Sequence, residues 1–134
     1  MTYAEKLAAR IAATGSNLCV GLDPRLELIS GDPEAFLQKV ILETAPHVAA
    51  FKPNAAYFEA MGAKGVALLE RILLEIPCDV PVVLDVKRSD IPETMRYYAE
   101  AYFKHWQVDA VTLNGLMGFD SIEPFLQSPG RGVY

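Results

Sequence analysis

Apolar positions follow two periods along this chain. Short apolar, often β-branched runs that close on a polar residue alternate with longer segments where apolar residues return every three or four positions. The first helical pattern covers residues 2–13, with Leu7, Ile11 and several alanines on one side. Residues 17–22 read as a first strand, followed by Asp23-Pro24. Asp32-Pro33 offers an N-cap with proline at the first helical position, and the helix behind it directs Phe36, Leu37, Val40 and Ile41 inward until Pro46. Residues 48–52 read as a second strand, ending in Lys52-Pro53-Asn54. The helical pattern over 55–76 is interrupted at Gly62 and Gly65, which fits two helices; Leu69, Ile72, Leu73 and Ile76 form its apolar face and Pro77 ends it.

The stretch 82–94 organises the rest. It opens as the buried run Val82-Val83-Leu84, and it closes as a helix start, where Asp90 is expected to cap with Glu93 three residues on. Asp85 and Lys87 are two apart, so a regular strand points both to one face. The following helix carries Met95, Tyr98, Ala99, Tyr102, Phe103 and Trp106 at helical spacing, which reads as core or interface rather than a cofactor box. Residues 109–113 form a fourth strand. Residues 118–121 open a fourth crossover helix with Ile122, Phe125 and Leu126 inward, and 128–132 form a turn. Strand and helix thus alternate four times after one leading helix, the order of a parallel α/β fold.

The 134 residues are 51% hydrophobic and 22% charged, the balance of one globular domain with a real core. A net charge of -5 excludes a dominant nucleic-acid footprint, and no apolar run reaches membrane-spanning length. The first fifteen residues lack the apolar centre of a signal peptide, so the expected location is the cytoplasm. Cys19 and Cys78 read as small buried hydrophobes in a reducing compartment.

Every strand ends on polar residues: Asp23; Lys52 and Asn54; Asp85, Lys87 and Asp90; Thr112 and Asn114. Crossover geometry gathers these ends on one rim, where α/β folds bind ligands. An ion pair and a helix cap would explain each charge singly. Together, burying them is costly, and a fold seeking stability alone would use apolar side chains. Alternating aspartates and lysines suit a substrate whose charge changes during reaction. A carboxylate beside Asp85 is destabilised, and a carbanion beside Lys87 is stabilised and then protonated. The residues by themselves lead to decarboxylation or enolate chemistry.

At these positions the chain resembles orotidine 5′-phosphate decarboxylase. Asp85-x-Lys87-x-x-Asp90-Ile91-x-x-Thr94 matches that family's signature in type and spacing. Gly21-Leu22-Asp23-Pro24, Phe51-Lys52-Pro53-Asn54 and Asp109-Ala110-Val111-Thr112-Leu113-Asn114 resemble its other early blocks, the last two in the manner of the longer bacterial subgroup. The resemblance implies an alternating catalytic set of Lys52, Asp85, Lys87 and Asp90. Lys87 would donate the proton to C6 of the pyrimidine, and Asp85 would face the departing carboxylate. Asp23 would bind the ribose, with Asn54, Ile91, Thr94 and Asn114 also at the substrate. Asp90, Ile91 and Thr94 would reach the neighbouring subunit's site in a homodimer. The family uses no metal and no organic cofactor. Ser89, Pro92 and Gly115 depart from the usual residues at their positions and bear on loop shape.

The implied fold is a (β/α)8 TIM barrel, which takes about 200 to 250 residues. The 134 residues are therefore expected to form a single partial domain, the leading helix plus four β/α units of a half barrel, ending where a fifth strand should begin. Its first and fourth strands would be open edges, favouring self-association. Taken alone, such a chain is expected to be poorly active or inactive. Two other readings stand beside this one. A sugar-phosphate decarboxylase or hexulose-phosphate synthase shares the Asp-x-Lys-x-x-Asp core, although Phe51-Lys52-Pro53-Asn54 and Thr94 weigh against it. A non-catalytic half barrel acting only in assembly is the other.

Overall fold

The computed structural model describes residues 1–134. Five strands, β1 (Cys19–Gly21), β2 (Ala50–Lys52), β3 (Val83–Arg88), β4 (Ala110–Leu113) and β5 (Gly132–Val133), run parallel in chain order. Single bridges from Phe51 to Val82 and from Asn54 to Asp85 join β2 to β3, so the ladder continues from β1 to β5. A fifth strand thus begins where the chain was expected to stop. The open edges are β1 and β5, not β1 and β4.

Helices return the chain between strands: α2 (Pro33–Thr44), α3 (Ala55–Glu59) with α4 (Ala63–Glu75), α5 (Pro92–Ala99) and α6 (Phe119–Leu126). Asp32 caps α2 by accepting from the Ala35 N–H at 3.0 Å, as the Asp-Pro pair predicts. The break between α3 and α4 falls at Gly62, whose φ of 66° favours glycine. Gly65 has a different reason. A Cβ there would lie 1.9 Å from the Phe58 carbonyl oxygen, so only glycine lets α4 fold back against α3. Behind α5 the helix continues as a π-helical segment, Glu100–His105, which buries Tyr102 and Phe103.

One core lies between strands and helices. Leu22, Phe51, Leu84 and Val111 from the strand segments meet Leu37, Ile41, Phe58, Ile72, Met95 and Phe125 from the helices. Each such fully buried side chain contributes about 1.5–3 kcal/mol relative to exposure. The aromatic stripe is core as expected, with Tyr102 stacked between Tyr98 and Trp106. Phe36 and Leu126, expected inward, are exposed, since each helix presents a narrower face to the sheet than its apolar stripe. Both cysteines are also exposed, contrary to expectation. Cys19 lies on the open-edge strand β1, and Cys78 on the loop leaving α4.

The leading helix α1 (Tyr3–Thr14), closed by a capping box between Thr2 and Glu5, buries no residue fully. Polar contacts hold it instead. The Tyr3 N–H donates to the Gly130 carbonyl, Lys6 pairs with Asp109 at 2.8 Å, and Arg10 reaches the Val48 carbonyl and Asp79. These partners precede β5, β4, β2 and β3. Helix α1 therefore lies across the amino ends of the strands and leaves their carboxyl ends open. No helix is long and apolar enough to cross a membrane.

Candidate active site

Three of the charged residues meet at the carboxyl end of β2 and β3. Asp85 is buried, with 6% of its surface exposed, and its carboxylate accepts three hydrogen bonds. Lys87 Nζ donates to Oδ1 at 2.5 Å, the Thr112 hydroxyl donates to Oδ1 at 2.7 Å, and Lys52 Nζ donates to Oδ2 at 2.9 Å. Lys87 is largely exposed and Lys52 partly so, and both ammonium groups open toward the rim.

Burial alone would push the Asp85 carboxyl up. Hydrogen bonds from Lys87, Lys52 and Thr112 outweigh it and hold the group well below the usual carboxylate range. Burial likewise works against the Lys52 ammonium. The hydrogen bond to Asp85 and the charges of Asp85 and Asp23 outweigh it and raise Lys52 above its ordinary value. At neutral pH both members of this pair are thus ionised.

The meeting of Asp85 and Lys87 does not come from regular strand alternation. Lys87 has a φ of 46°, in the left-handed region, and the β3–β4 register shifts between Leu84 and Arg88. The resulting bulge turns Lys87 back onto Asp85. Thr112 Oγ1 fills the bulge, accepting from the Val86 and Lys87 N–H groups at 3.0 Å each. Sequence reasoning noted Thr112 only as a strand end. Its position opposite the charged run on the next strand was the available signal.

The other candidates surround this centre. Asp23 Oδ1 accepts from the Asn54 N–H at 3.0 Å, tying the end of β1 to the end of β2. The Asn54 side chain caps α3 through the Ala56 N–H, and Asn114 caps the turn Gly115–Met117 through the Leu116 N–H. Asp90 makes no hydrogen bond to Lys52, Asp85 or Lys87, nor is it the expected cap of α5. Pro92 occupies the first helical position, which moves the cap to Ile91. The Asp90 carboxylate accepts from the Ile91 N–H at 2.7 Å, and Glu93 pairs with Arg96 instead of closing a box. Ile91 is 56% exposed, and Thr94 is half-buried in the first turn of α5.

Known proteins are similar to this chain in both sequence and fold. Residues 16–133 match the family described as Orotidine 5′-phosphate decarboxylase / HUMPS family. The orotidine 5′-phosphate decarboxylase of Janthinobacterium sp. (strain Marseille) is 43% identical over 143 residues, covering 99% of this chain and 52% of the relative. That of Leptospira interrogans is 39% identical, covering 95% of this chain and 50% of the relative. Among solved structures, Leishmania donovani OMP decarboxylase superposes with a TM-score of 0.90 at 39% identity, over 100% of this chain and 52% of that one. The UMP synthase of the same organism gives 0.92 at 39% identity over 29% of its length. The chain thus spans about half the length of the curated decarboxylases it matches. With four blocks in order, two lysines on one buried aspartate and a family match over nearly its whole length, this chain belongs to the orotidine 5′-phosphate decarboxylase / HUMPS family.

Proposed function

We propose that the complete polypeptide to which this chain corresponds decarboxylates orotidine 5′-phosphate, releasing CO2 and UMP, as a carboxy-lyase of pyrimidine synthesis. The observation that carries the reading is Asp85, buried and held ionised between two lysines. A substrate carboxylate brought to within about 4 Å of it would meet repulsion of about 4 kcal/mol at an effective dielectric near 20. Loss of neutral CO2 relieves that repulsion. The bond's electron pair stays on the pyrimidine carbon, where the Lys87 ammonium stabilises it and delivers the proton. The repulsion is largest in the bound substrate and the Lys87 stabilisation largest in the transition state, so both lower the barrier between the two.

In this reading Lys52, Asp85 and Lys87 serve the chemistry within one chain. Asp23, Asn54 and Asn114 bind substrate beside them. Asp90, Ile91 and Thr94 face a second subunit of a cytoplasmic homodimer. Support for that division comes from Asp90, whose carboxylate accepts from the Ile91 N–H and makes no hydrogen bond to either lysine, and from the exposed apolar side chains of Ile91, Leu116, Met117 and Phe119. The 134 residues are one partial domain of a barrel, and catalysis belongs to the completed one.

The test is UMP formation from orotidine 5′-phosphate, with this chain assayed alone and together with the carboxyl-terminal half of a full-length relative. Activity only with the second half, abolished by Lys87→Ala, is expected. Magnesium-dependent turnover of a hexulose phosphate in place of orotidine 5′-phosphate would instead establish the sugar-phosphate reading. Full turnover by this chain alone would overturn the partial-domain reading.

A further inference from the structure

We infer that Arg88 is a positioning residue for the two-lysine site, acting from outside it through the backbone of Lys87; this rests on Lys87 being the proton donor. The bulge in β3 is the starting point. From Leu84 to Arg88 the chain advances four residues, while its partner advances two, from Val111 to Leu113. The surplus is absorbed where Lys87 takes its positive φ. A residue with a side chain keeps that conformation only where its surroundings hold it.

Two holds are present. On the site side, Thr112 binds the Val86 and Lys87 N–H groups. On the far side, Arg88 returns the strand to its ladder, its carbonyl accepting from the Asn114 N–H at 2.9 Å. Its guanidinium lies 5.0 Å over the Tyr98 ring, donates through Nε to the Tyr102 hydroxyl at 2.7 Å, and pairs through Nη2 with Glu59. Tyr102 is buried in the π-helical segment behind α5. Glu59 ends α3, the helix that directly follows Lys52-Pro53-Asn54.

One guanidinium therefore ties the element after the Lys52 strand to the residue after Lys87. The two ammonium groups meet on Asp85 from different strands, so their placement depends on how β2 and β3 sit relative to each other. The Arg88 clamp fixes that relation without touching Lys52, Asp85 or the Lys87 side chain. A lysine at this position could not replace the fork, because one ammonium cannot serve Tyr102 and Glu59 in the same geometry.

Backbone hydrogen exchange on the 134-residue chain tests the assignment. Arg88→Gln should speed exchange at the Val86, Lys87 and Asn114 amides about tenfold, the scale of one lost charged hydrogen bond. The Phe51 and Ala110 amides, elsewhere in the sheet, should keep their protection. Arg88→Lys should behave like Arg88→Gln. Glu59→Gln, at a half-exposed helix end, should give a smaller increase at the same three amides. Unchanged exchange at Val86 and Lys87 in both Arg88→Gln and Glu59→Gln would overturn the role, and so would equal acceleration at Phe51 and Ala110. None of these readouts needs turnover. If the local pattern is found and the completed enzyme still fails to decarboxylate, the functional reading falls and the clamp stands.

Discussion

The Thr112 hydroxyl donates to Asp85 Oδ1 at 2.7 Å, and its oxygen accepts from the two N–H groups that follow Asp85. One small side chain on β4 thereby fixes both the buried carboxylate and the bulge that brings Lys87 to it. Thr112→Val keeps the shape and removes all three hydrogen bonds. It strands two backbone donors and one carboxylate lone pair, so a loss of about 1–3 kcal/mol is expected in urea unfolding. Thr112→Ser keeps the hydroxyl and should recover most of it. Equal stability of the valine and serine variants would show that the hydroxyl contributes nothing.

Acid should reveal Asp85. Its folded-state pKa lies below the unfolded value of about 3.9, so near and below that value the unfolded chain binds more protons. Its contribution is complete above the unfolded value and is lost as pH falls through the folded one. The stability difference between the natural chain and Asp85→Asn should therefore be constant from neutral pH to about 5 and shrink below about 4. A difference that stays constant down to pH 3 would mean that Asp85 is not held ionised. Lys52 has the opposite sign. Its raised value gives stability that is complete below the unfolded lysine pKa and lost as pH rises through the folded one.

Why the sequence displayed some of this and hid the rest follows from the range of each interaction. Strand and helix order was legible because burial acts position by position, leaving runs such as Val82-Val83-Leu84 and stripes such as Met95, Ala99 and Tyr102. Helix α1 looked amphipathic, yet Lys6 and Arg10 anchor it to Asp109 and Asp79 far along the chain, and no local pattern encodes those partners. Asp90 was misplaced because Pro92 moved the cap by one residue. The nearness of Lys87 to Asp85 was expected from spacing, but its cause is a positive φ that no residue type announces at a lysine. The closeness of Asp23 to Asn54, by contrast, follows from parallel strands ending on one rim.

Gly65 tests the packing of α3 on α4. An alanine methyl there would meet the Phe58 carbonyl oxygen at 1.9 Å and Met61 Cβ at 2.6 Å, and backbone cannot give way as a flexible side chain can. Gly65→Ala should cost about 1–3 kcal/mol or more, although alanine is the better helix former by about 1 kcal/mol. A thermal midpoint unchanged or raised would mean that the helices separate freely. Because α3 follows Lys52-Pro53-Asn54 and ends in Glu59, such freedom would also loosen the Arg88 clamp.

The position of Asp90 leads to the last prediction. It lies beyond the end of β3, binds only the N–H of its neighbour, and sits beside exposed Ile91, while Lys87 folds back onto Asp85 of its own strand. In the homodimer proposed for the complete polypeptide, Lys87 should serve its own chain's site and Asp90 the site across the interface. Lys87→Ala and Asp90→Ala should each be nearly inactive, since members of one coupled catalytic set fail together. Subunit exchange between the two variants forms mixed dimers. In each, one site holds both residues intact and the other holds neither. With half the dimers mixed and one good site in each, roughly a quarter of the unmodified activity should return in a two-fold symmetric assembly. If exchange is demonstrated by mass and no activity returns, Asp90 acts within its own chain, and the exposed surface around Ile91 needs another explanation.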